Sequence, residues 1–180
     1  MRPIVQKENP VLRQVAASVS LDDIGGKELQ EIISDMREAL AKEPDGVAIA
    51  AQQIAVSLRL FVLSPMAFEA EEEGKKMDPK EHTVYINPVI TKGSRTRAWN
   101  PEGCLSVRWL YGNTERAEKV TVKAYDENGK SFTRGASGLL AQIFQHEIEH
   151  LDGILFIDHA KDLEEIPPEA LKEYEKRKTS

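Results

Sequence analysis

The segment that ends at His150 is predicted to be a buried helix with two histidines on one face. The residues before His146 are apolar at helical spacing, and Ser137 and Gly153 are typical of a helix start and a helix end. Side chains four residues apart share a face, so both rings can bind one metal ion with Glu147 beside it. Because buried imidazoles need polar partners or a metal, the rest of the chain must fold around this helix and complete a site there.

A third ligand for such a metal ion must come from elsewhere in the chain. A tetrahedral catalytic metal ion normally has three protein ligands and one open position. Metzincin proteases would place a histidine at position 156, and Phe156 excludes that class. A thermolysin-like site would use Glu164 or Glu165, but these follow His150 closely and precede two prolines. Cys104 is the remaining strong candidate, because a thiolate binds zinc or iron well.

Cys104 is the single cysteine of the chain, so no intramolecular disulfide can form. A lone cysteine is often no more than a small buried side chain. Its surroundings favour a ligand instead, because Gly103 lets the backbone approach a site closely and the following amides can point into it.

Length and charge restrict the function classes further. The chain has 180 residues, a size that predicts one domain spanning residues 1–180. Its net charge is −6, and no basic stripe with interleaved aromatic residues indicates nucleic acid as the main ligand. We find no apolar run of membrane-span length and no signal-peptide core at the amino terminus. These features predict a cytoplasmic protein that does not bind a membrane.

The hydrophobic periodicity predicts an α+β fold. Antiparallel β-sheets are expected to pack around the central histidine-bearing helix, with one further helix near the amino terminus and one at the carboxyl terminus. The charge run at 69–76 is predicted to be a solvated loop without chemistry. The predicted helices are about 26–43, about 137–152 and a charged C-terminal helix that follows Pro167 and Pro168 and ends at about 178. The predicted strands are 58–63, 83–90, 118–125, 131–133 after a turn at 126–130, and 154–157.

Three segments resemble the motifs of the peptide deformylases, metal hydrolases that remove the N-formyl group from nascent proteins. The first is Gly46–Gln53 (GVAIAAQQ), the second Glu102–Ser106 (EGCLS) and the third Gln145–His150 (QHEIEH). The third motif alone is unspecific, but its combination with the second is highly specific. The similarity extends over roughly residues 4–160.

This resemblance implies a metal centre and a general base. Cys104, His146 and His150 would hold one divalent ion, iron(II) in the family's physiological form, with zinc, nickel or cobalt able to substitute. Glu147 would take the proton of the attacking water and pass it to the departing amine.

The resemblance also implies how the substrate, an N-formylmethionyl peptide, is bound. The side chain of Gln53 and the N–H of Leu105 would stabilise the oxyanion. Backbone groups of Gly46, Val47 and Gly103 would pair with the peptide as a strand does. The family acts on chains leaving the ribosome, so a transient contact with the ribosome through the charged C-terminal segment is a further possibility, although a solvated amphipathic helix is the favoured interpretation.

Two departures from the motifs keep alternatives open. Ala48 replaces a second glycine of the first motif, and Arg108 with Trp109 follows the second motif where the family usually has proline and often glycine. These changes allow a related peptide amidase with a different acyl or side-chain preference. A structural metal module without activity is disfavoured, because Glu147 and Gln53 have no task in holding a metal.

Overall fold

The computed structural model describes residues 2–69, 78 and 80–178. These residues form antiparallel sheets and α-helices, which confirms the predicted α+β class. The predicted charged loop at 69–76 lies, apart from Glu69, outside the described residues. The strands are β1 (Ala48–Ala50), β2 (Leu60–Leu63), β3 (Val84–Gly93), β4 (Arg97–Gly103), β5 (Leu110–Ala117), β6 (Lys119–Tyr125), β7 (Ser131–Ser137) and β8 (Lys161–Glu165), and the helices are α1 (Lys27–Ala41), α2 (Met66–Glu69), α3 (Gly138–Leu151) and α4 (Leu171–Lys178).

Two antiparallel sheets organise the described residues. The larger has the strand order β1-β2-β3-β6-β7, with Phe61 opposite Tyr85 in the pairing of β2 with β3. The smaller has the order β4-β5-β8, with Gly103 opposite Tyr111 in the pairing of β4 with β5. Strand β4 ends at Gly103, so Cys104 is the first residue after this strand of the smaller sheet.

Helix α3 packs on the larger sheet through its apolar face. Leu140, Phe144 and Leu151 are fully buried. The Phe144 ring lies 6.0 Å from that of Phe61 and 5.0 Å from that of Tyr85, measured between centroids. Complete burial of side chains of this kind stabilises the fold by roughly 1.5–3 kcal/mol each. Because this apolar face of α3 is fixed against the larger sheet, the packing determines which of the remaining α3 side chains point toward the loop after β4.

Helix α3 is followed, two residues after its end, by a glycine whose backbone conformation would strain a residue with a side chain. Gly153 has a φ of +75°, a left-handed conformation that favours glycine. A Cβ atom at this position would also lie 2.6 Å from the carbonyl oxygen of Arg13. The prediction that Gly153 follows the helix end is therefore confirmed.

Helix α1 covers the other part of the core, against β1 and β2. Its predicted apolar stripe is buried as expected, and the bounds differ from the prediction by one or two residues at each end. The stripe consists of Leu29, Ile32, Ile33, Met36 and Leu40.

The prediction of a strand at 154–157 is wrong. Phe156–Asp158 forms a 3₁₀ turn, in which the Asp158 carboxylate accepts the N–H of Leu155 at 3.0 Å and pairs with Arg13. The strand of this region is β8, which follows at Lys161–Glu165. Among the helices of the described residues, none combines the length and apolar character that a membrane crossing requires.

Candidate metal centre

Cys104, His146 and His150 come together although the cysteine is more than forty positions away in the chain. Their ligand atoms all lie within 4.8 Å of one another, and the Cys104 Sγ is 3.2 Å from the His150 Nε2. The cysteine stands just after β4, and both histidines stand on α3. One sulfur and two imidazole nitrogens form a donor set that suits zinc, iron(II) and similar divalent ions.

His150 is held in the protonation state that a metal ligand requires. Its ring is buried, and this burial holds the pKa of His150 well below its ordinary value. A neutral imidazole offers a free lone pair, whereas a protonated one does not.

His146 is oriented by a buried carboxylate. Its Nδ1 lies 2.5 Å from the Glu102 Oε1, so the Nδ1–H donates and the Nε2 is left for a metal ion. Glu102 also accepts from Arg116 at 2.5 Å and from Thr114 at 2.5 Å. Burial opposes ionisation of Glu102, but the hydrogen bonds from His146 and Arg116 and the positive charge of Arg116 outweigh it and hold the pKa of Glu102 well below its ordinary value.

Glu147 lies beside the three candidate ligands and is prepared to accept a proton. It is buried and lines the same cleft as Cys104 and His146. Burial raises the pKa of Glu147 to about 7, the range in which a general base works well near neutral pH. Its Oε2 has no hydrogen-bond partner among the described residues, which leaves this oxygen open to a water or substrate proton.

Gln53 and Leu105 both line the cleft that contains Cys104 and His146. The Gln53 Oε1 accepts the N–H of Ala50 at 2.8 Å, and this bond turns the side-chain NH₂ toward the Cys104 loop. There the Nε2 donates to Ser106 Oγ at 3.1 Å and lies 3.7 Å from the Cys104 Sγ. Gln53 lies in the 3₁₀ turn Ala51–Ile54 and Leu105 directly follows Cys104, so two separate segments bring candidate hydrogen-bond donors to the cleft.

The cleft that leads to this centre is open to solvent. Gly46, Val47 and Gly103, the three residues predicted to pair with a peptide backbone, all line it. Its opposite wall is formed by α3 and includes the apolar side chains of Leu139 and Ile143. The arrangement suits an extended chain that lies between two backbone segments and places one apolar side chain against the helix.

The two departures from the motifs are both found at this cleft. Ala48 lies in β1, is buried, and contributes to the lining. Arg108 also lines the cleft, and its guanidinium carbon lies 4.7 Å from the centre of the Trp109 ring. Tyr111, which follows shortly after these residues, lines the cleft as well.

The sequence interpretation did not identify the partners of Glu102. Arg116 is almost completely buried and joins Glu102 to Glu149, with its Nη1 2.6 Å from the Glu149 Oε1. The available signal was the spacing of Thr114 and Arg116, since residues two apart on a strand share a face. That signal requires knowledge that β5 pairs with β4, which the sequence did not reveal.

Comparisons with known proteins agree with the geometry. A family model described as polypeptide deformylase matches residues 1–165. The chain is 41% identical over 172 residues to the peptide deformylase of Dehalococcoides mccartyi (strain CBDB1), with 94% of this chain and 93% of that protein covered. It is 38% identical over 163 residues to that of Rhizobium meliloti (strain 1021), with 91% and 87% covered.

Solved structures resemble the fold over nearly their whole length. An actinonin-bound class I type b peptide deformylase from Acinetobacter baumannii superimposes with a TM-score of 0.77 at 31% identity and covers 89% of this chain and 99% of that one. The peptide deformylase from Thermotoga maritima gives a TM-score of 0.74 at 30% identity, with 89% and 98% covered. The A. baumannii protein has also been solved with Met-Ala-Ser bound, at 30% identity and a TM-score of 0.75.

Proposed function

Because the chain belongs to the peptide deformylase family, we propose that its three clustered ligand residues form the metal centre of a formyl-peptide hydrolase. The enzyme removes the N-terminal formyl group from formylmethionyl peptides of newly synthesised proteins. The observation that carries the assignment of the centre is the approach of Cys104, His146 and His150 to within 4.8 Å beside Glu147. We further propose that residues 1–180 act as one catalytic domain.

The residues fit a divalent ion, which we propose to be iron(II), with zinc, nickel or cobalt as substitutes. The fit follows from the donor set and from the orientation of His146, whose Nδ1 is occupied by Glu102. A divalent ion held by Cys104, His146 and His150 supplies Lewis acidity, which lowers the pKa of a water molecule and polarises a carbonyl group.

We propose that Glu147 is the general base. Its buried carboxylate, with a pKa raised to about 7, takes a proton from the attacking water and gives it to the departing amine. Gln53 and the N–H of Leu105 donate to the oxygen that becomes negative when the formyl carbon is attacked. Loss of one such donor in comparable sites costs about 3 kcal/mol of transition-state stabilisation.

We propose that the peptide lies between the two loops that border the cleft. Backbone groups of Gly46, Val47 and Gly103 pair with it, and the methionine side chain lies against Leu139 and Ile143. The Met-Ala-Ser complex of the A. baumannii relative supports a peptide of this length as ligand. Cytoplasmic location and a transient ribosome contact through α4, whose side chains are mostly exposed, stay predictions.

The function is tested by turnover of formyl-Met-Ala-Ser and acetyl-Met-Ala-Ser on one preparation, with metal content measured on the same sample. We expect release of formate and little acetyl cleavage. Equal or faster acetyl cleavage would contradict the formyl assignment and favour a related amidase. In a Cys104→Ser variant we expect loss of bound metal, and undiminished metal stoichiometry would exclude the thiolate as a ligand.

The role of Glu147 is tested by Glu147→Gln, which keeps the size of the side chain and removes its basicity. We expect kcat to fall about 10²- to 10⁴-fold. Metal content should stay equal to that of the unaltered enzyme, since Glu147 is not proposed as a ligand. A variant with metal bound and near-normal kcat would contradict the general-base role.

A further inference from the structure

Arg108, one of the two residues that depart from the family pattern after the second motif, makes contacts across the mouth of the cleft. The Arg108 Nη1 lies 2.7 Å from the Asp45 Oδ2, and its Nη2 lies 2.9 Å from the Asp45 Oδ1. The Nη2 is also 2.8 Å from the Glu43 Oε2. Two parallel bonds to one carboxylate fix the guanidinium in orientation as well as position. Arg108 thus joins the loop after Cys104 to the loop between α1 and β1.

We propose that Arg108 is a positioning residue that sets the spacing between the two cleft loops and thereby determines the affinity for peptides. This inference rests on the proposed function. We refer to the contacts of Arg108 with Asp45 and Glu43 as the cleft clamp.

The cleft clamp acts directly next to the backbone proposed to bind the peptide. Asp45 immediately precedes Gly46 and Val47 in the chain. The position of Gly46 is tightly defined, because a Cβ there would lie 2.8 Å from Leu40 and 3.1 Å from the Cβ of Glu43. A loop packed this closely transmits a displacement of Asp45 to the next residues.

The loop on the other side is held equally firmly. The N–H of Arg108 donates to the Gln6 Oε1 at 3.2 Å, and the Gln6 Nε2 donates to the carbonyl of Leu105 at 3.0 Å. Gln6 therefore binds the loop at two points, three residues apart. Because both Gln6 contacts are with the backbone of this loop and not with the guanidinium, the proposed oxyanion donor Leu105 keeps its position when the Arg108 side chain is altered.

Burial and position indicate that the cleft clamp serves binding rather than chemistry. The Arg108 side chain is only 16% exposed, whereas that of Asp45 is 37% exposed, so the contact stands where the cleft opens to solvent. The metal centre has its own support, because Glu102 and α3 hold His146. Loss of the cleft clamp should therefore weaken peptide binding and leave the chemical step nearly unchanged.

The test compares Arg108→Gln with Arg13→Gln as a matched control. Arg13 also makes a two-bond contact with one carboxylate, that of Asp158 at 2.6 and 2.9 Å, but does not line the cleft. For Arg108→Gln we expect the KM for formyl-Met-Ala-Ser to rise on the order of tenfold and kcat to change by less than about twofold. Arg13→Gln should keep both values.

Further variants separate positioning from general stability. Asp45→Asn removes the same two-bond contact from the other loop and should raise KM as Arg108→Gln does, which covers the case that one variant fails to fold. Arg108→Lys keeps the charge without the planar fork and should restore KM only in part. Melting temperatures of all variants show whether a change in KM follows from unfolding.

Two results would overturn the inference while leaving the proposed function intact. One is the finding that the KM values of Arg108→Gln and Arg13→Gln are equal, although the unaltered enzyme cleaves formyl-Met-Ala-Ser. The other is a fall in kcat of Arg108→Gln at constant KM, which would place the residue in the chemical step. Absence of formate release by the unaltered, metal-loaded enzyme would instead contradict the proposed function itself.

Discussion

At the scale of single residues, this enzyme places its charges so that each buried one has a partner or a task. Arg116 pairs with Glu102 and Glu149, and Glu102 in turn orients His146. Glu147 keeps a buried oxygen, its Oε2, without a hydrogen-bond partner among the described residues. An unsatisfied buried carboxylate is costly, and a proton-transfer role gives a physical reason for it.

A change at Glu102 should act on the metal rather than on the base. In Glu102→Gln the amide no longer presents two anionic oxygens to His146 and Arg116, so the orientation of the His146 ring is less fixed. We expect metal affinity to fall about 10- to 100-fold, measured by competition with a chelator.

Glu115→Gln is the matched control for this experiment. Glu115 lies on the same strand as Arg116 but is half exposed and pairs with Arg97 at the surface. Its loss should not alter metal affinity. Equal metal affinity of Glu102→Gln and Glu115→Gln would contradict the orienting role of Glu102.

The acid side of the stability profile should depend on Asp45. The hydrogen bond from Arg108 lowers the pKa of Asp45 below its ordinary value despite partial burial. Because the folded pKa lies below the unfolded one, the contribution is complete above the unfolded pKa of about 3.9 and disappears as the pH falls through the folded pKa.

The measurement is the unfolding free energy between pH 7 and pH 3 for the unaltered enzyme and for Asp45→Asn. We expect the variant to be less stable at pH 7, by no more than about 1 kcal/mol for a contact this exposed. The difference should diminish toward pH 3. A constant difference over this range would show that the carboxylate charge of Asp45 is not what stabilises the loop.

At the scale of secondary-structure elements, α3 connects the hydrophobic core to the metal centre. One face of the helix carries Phe144 into the aromatic cluster with Phe61 and Tyr85, and a neighbouring face carries His146 and His150. Core packing thus determines the rotation of the helix about its axis, and this rotation determines where both imidazoles point.

A cavity under α3 should therefore affect both stability and activity. For Phe144→Ala we expect a loss of about 3–5 kcal/mol in unfolding free energy, because the side chain is fully buried. Phe144→Leu should lose less, since it fills more of the cavity. Chemical denaturation measures the unfolding free energy of both variants. A loss below about 1 kcal/mol for Phe144→Ala would contradict tight packing at this position.

The elements that the sequence revealed are those with a strong apolar period. The buried stripe of α1 and the apolar face of α3 made both helices predictable. Strand β8 could not be predicted, because its five residues are all exposed and mostly charged. Strand β4 alternates exposed and partly buried positions and includes Pro101, which is unusual within a strand.

The same limit applies to the site. Cys104 and the two histidines could be predicted from the sequence as motif residues, and Glu147 could be predicted from its place between the histidines. The cleft clamp could not be predicted from the sequence, because Arg108 and Asp45 are 63 positions apart and both residue types are common at protein surfaces. A contact of this kind depends on the relative placement of two loops, which the pairing of the sheets and the docking of α1 determine.

At the scale of the whole molecule, the proposed metal centre joins parts of the fold that have separate cores. Cys104 packs with a small cluster that includes Leu12, Val107 and Phe156. Helix α3, with both histidines, belongs to the main cluster on the larger sheet. A metal ion bound by all three ligands would link these clusters, so its binding free energy adds to the free energy of folding.

Metal removal should consequently lower thermal stability. A ligand that binds only the folded state at a thousandfold excess over its Kd stabilises by about 4 kcal/mol, which for a chain of this length corresponds to a shift in Tm on the order of 10 °C. We expect chelation to lower the Tm of the unaltered enzyme by about this amount, and nickel or zinc to restore it. Cys104→Ser should show a much smaller response, because it lacks the ligand that connects the two clusters. An unaltered enzyme whose Tm is the same before and after verified metal loss would show that the metal does not link the clusters.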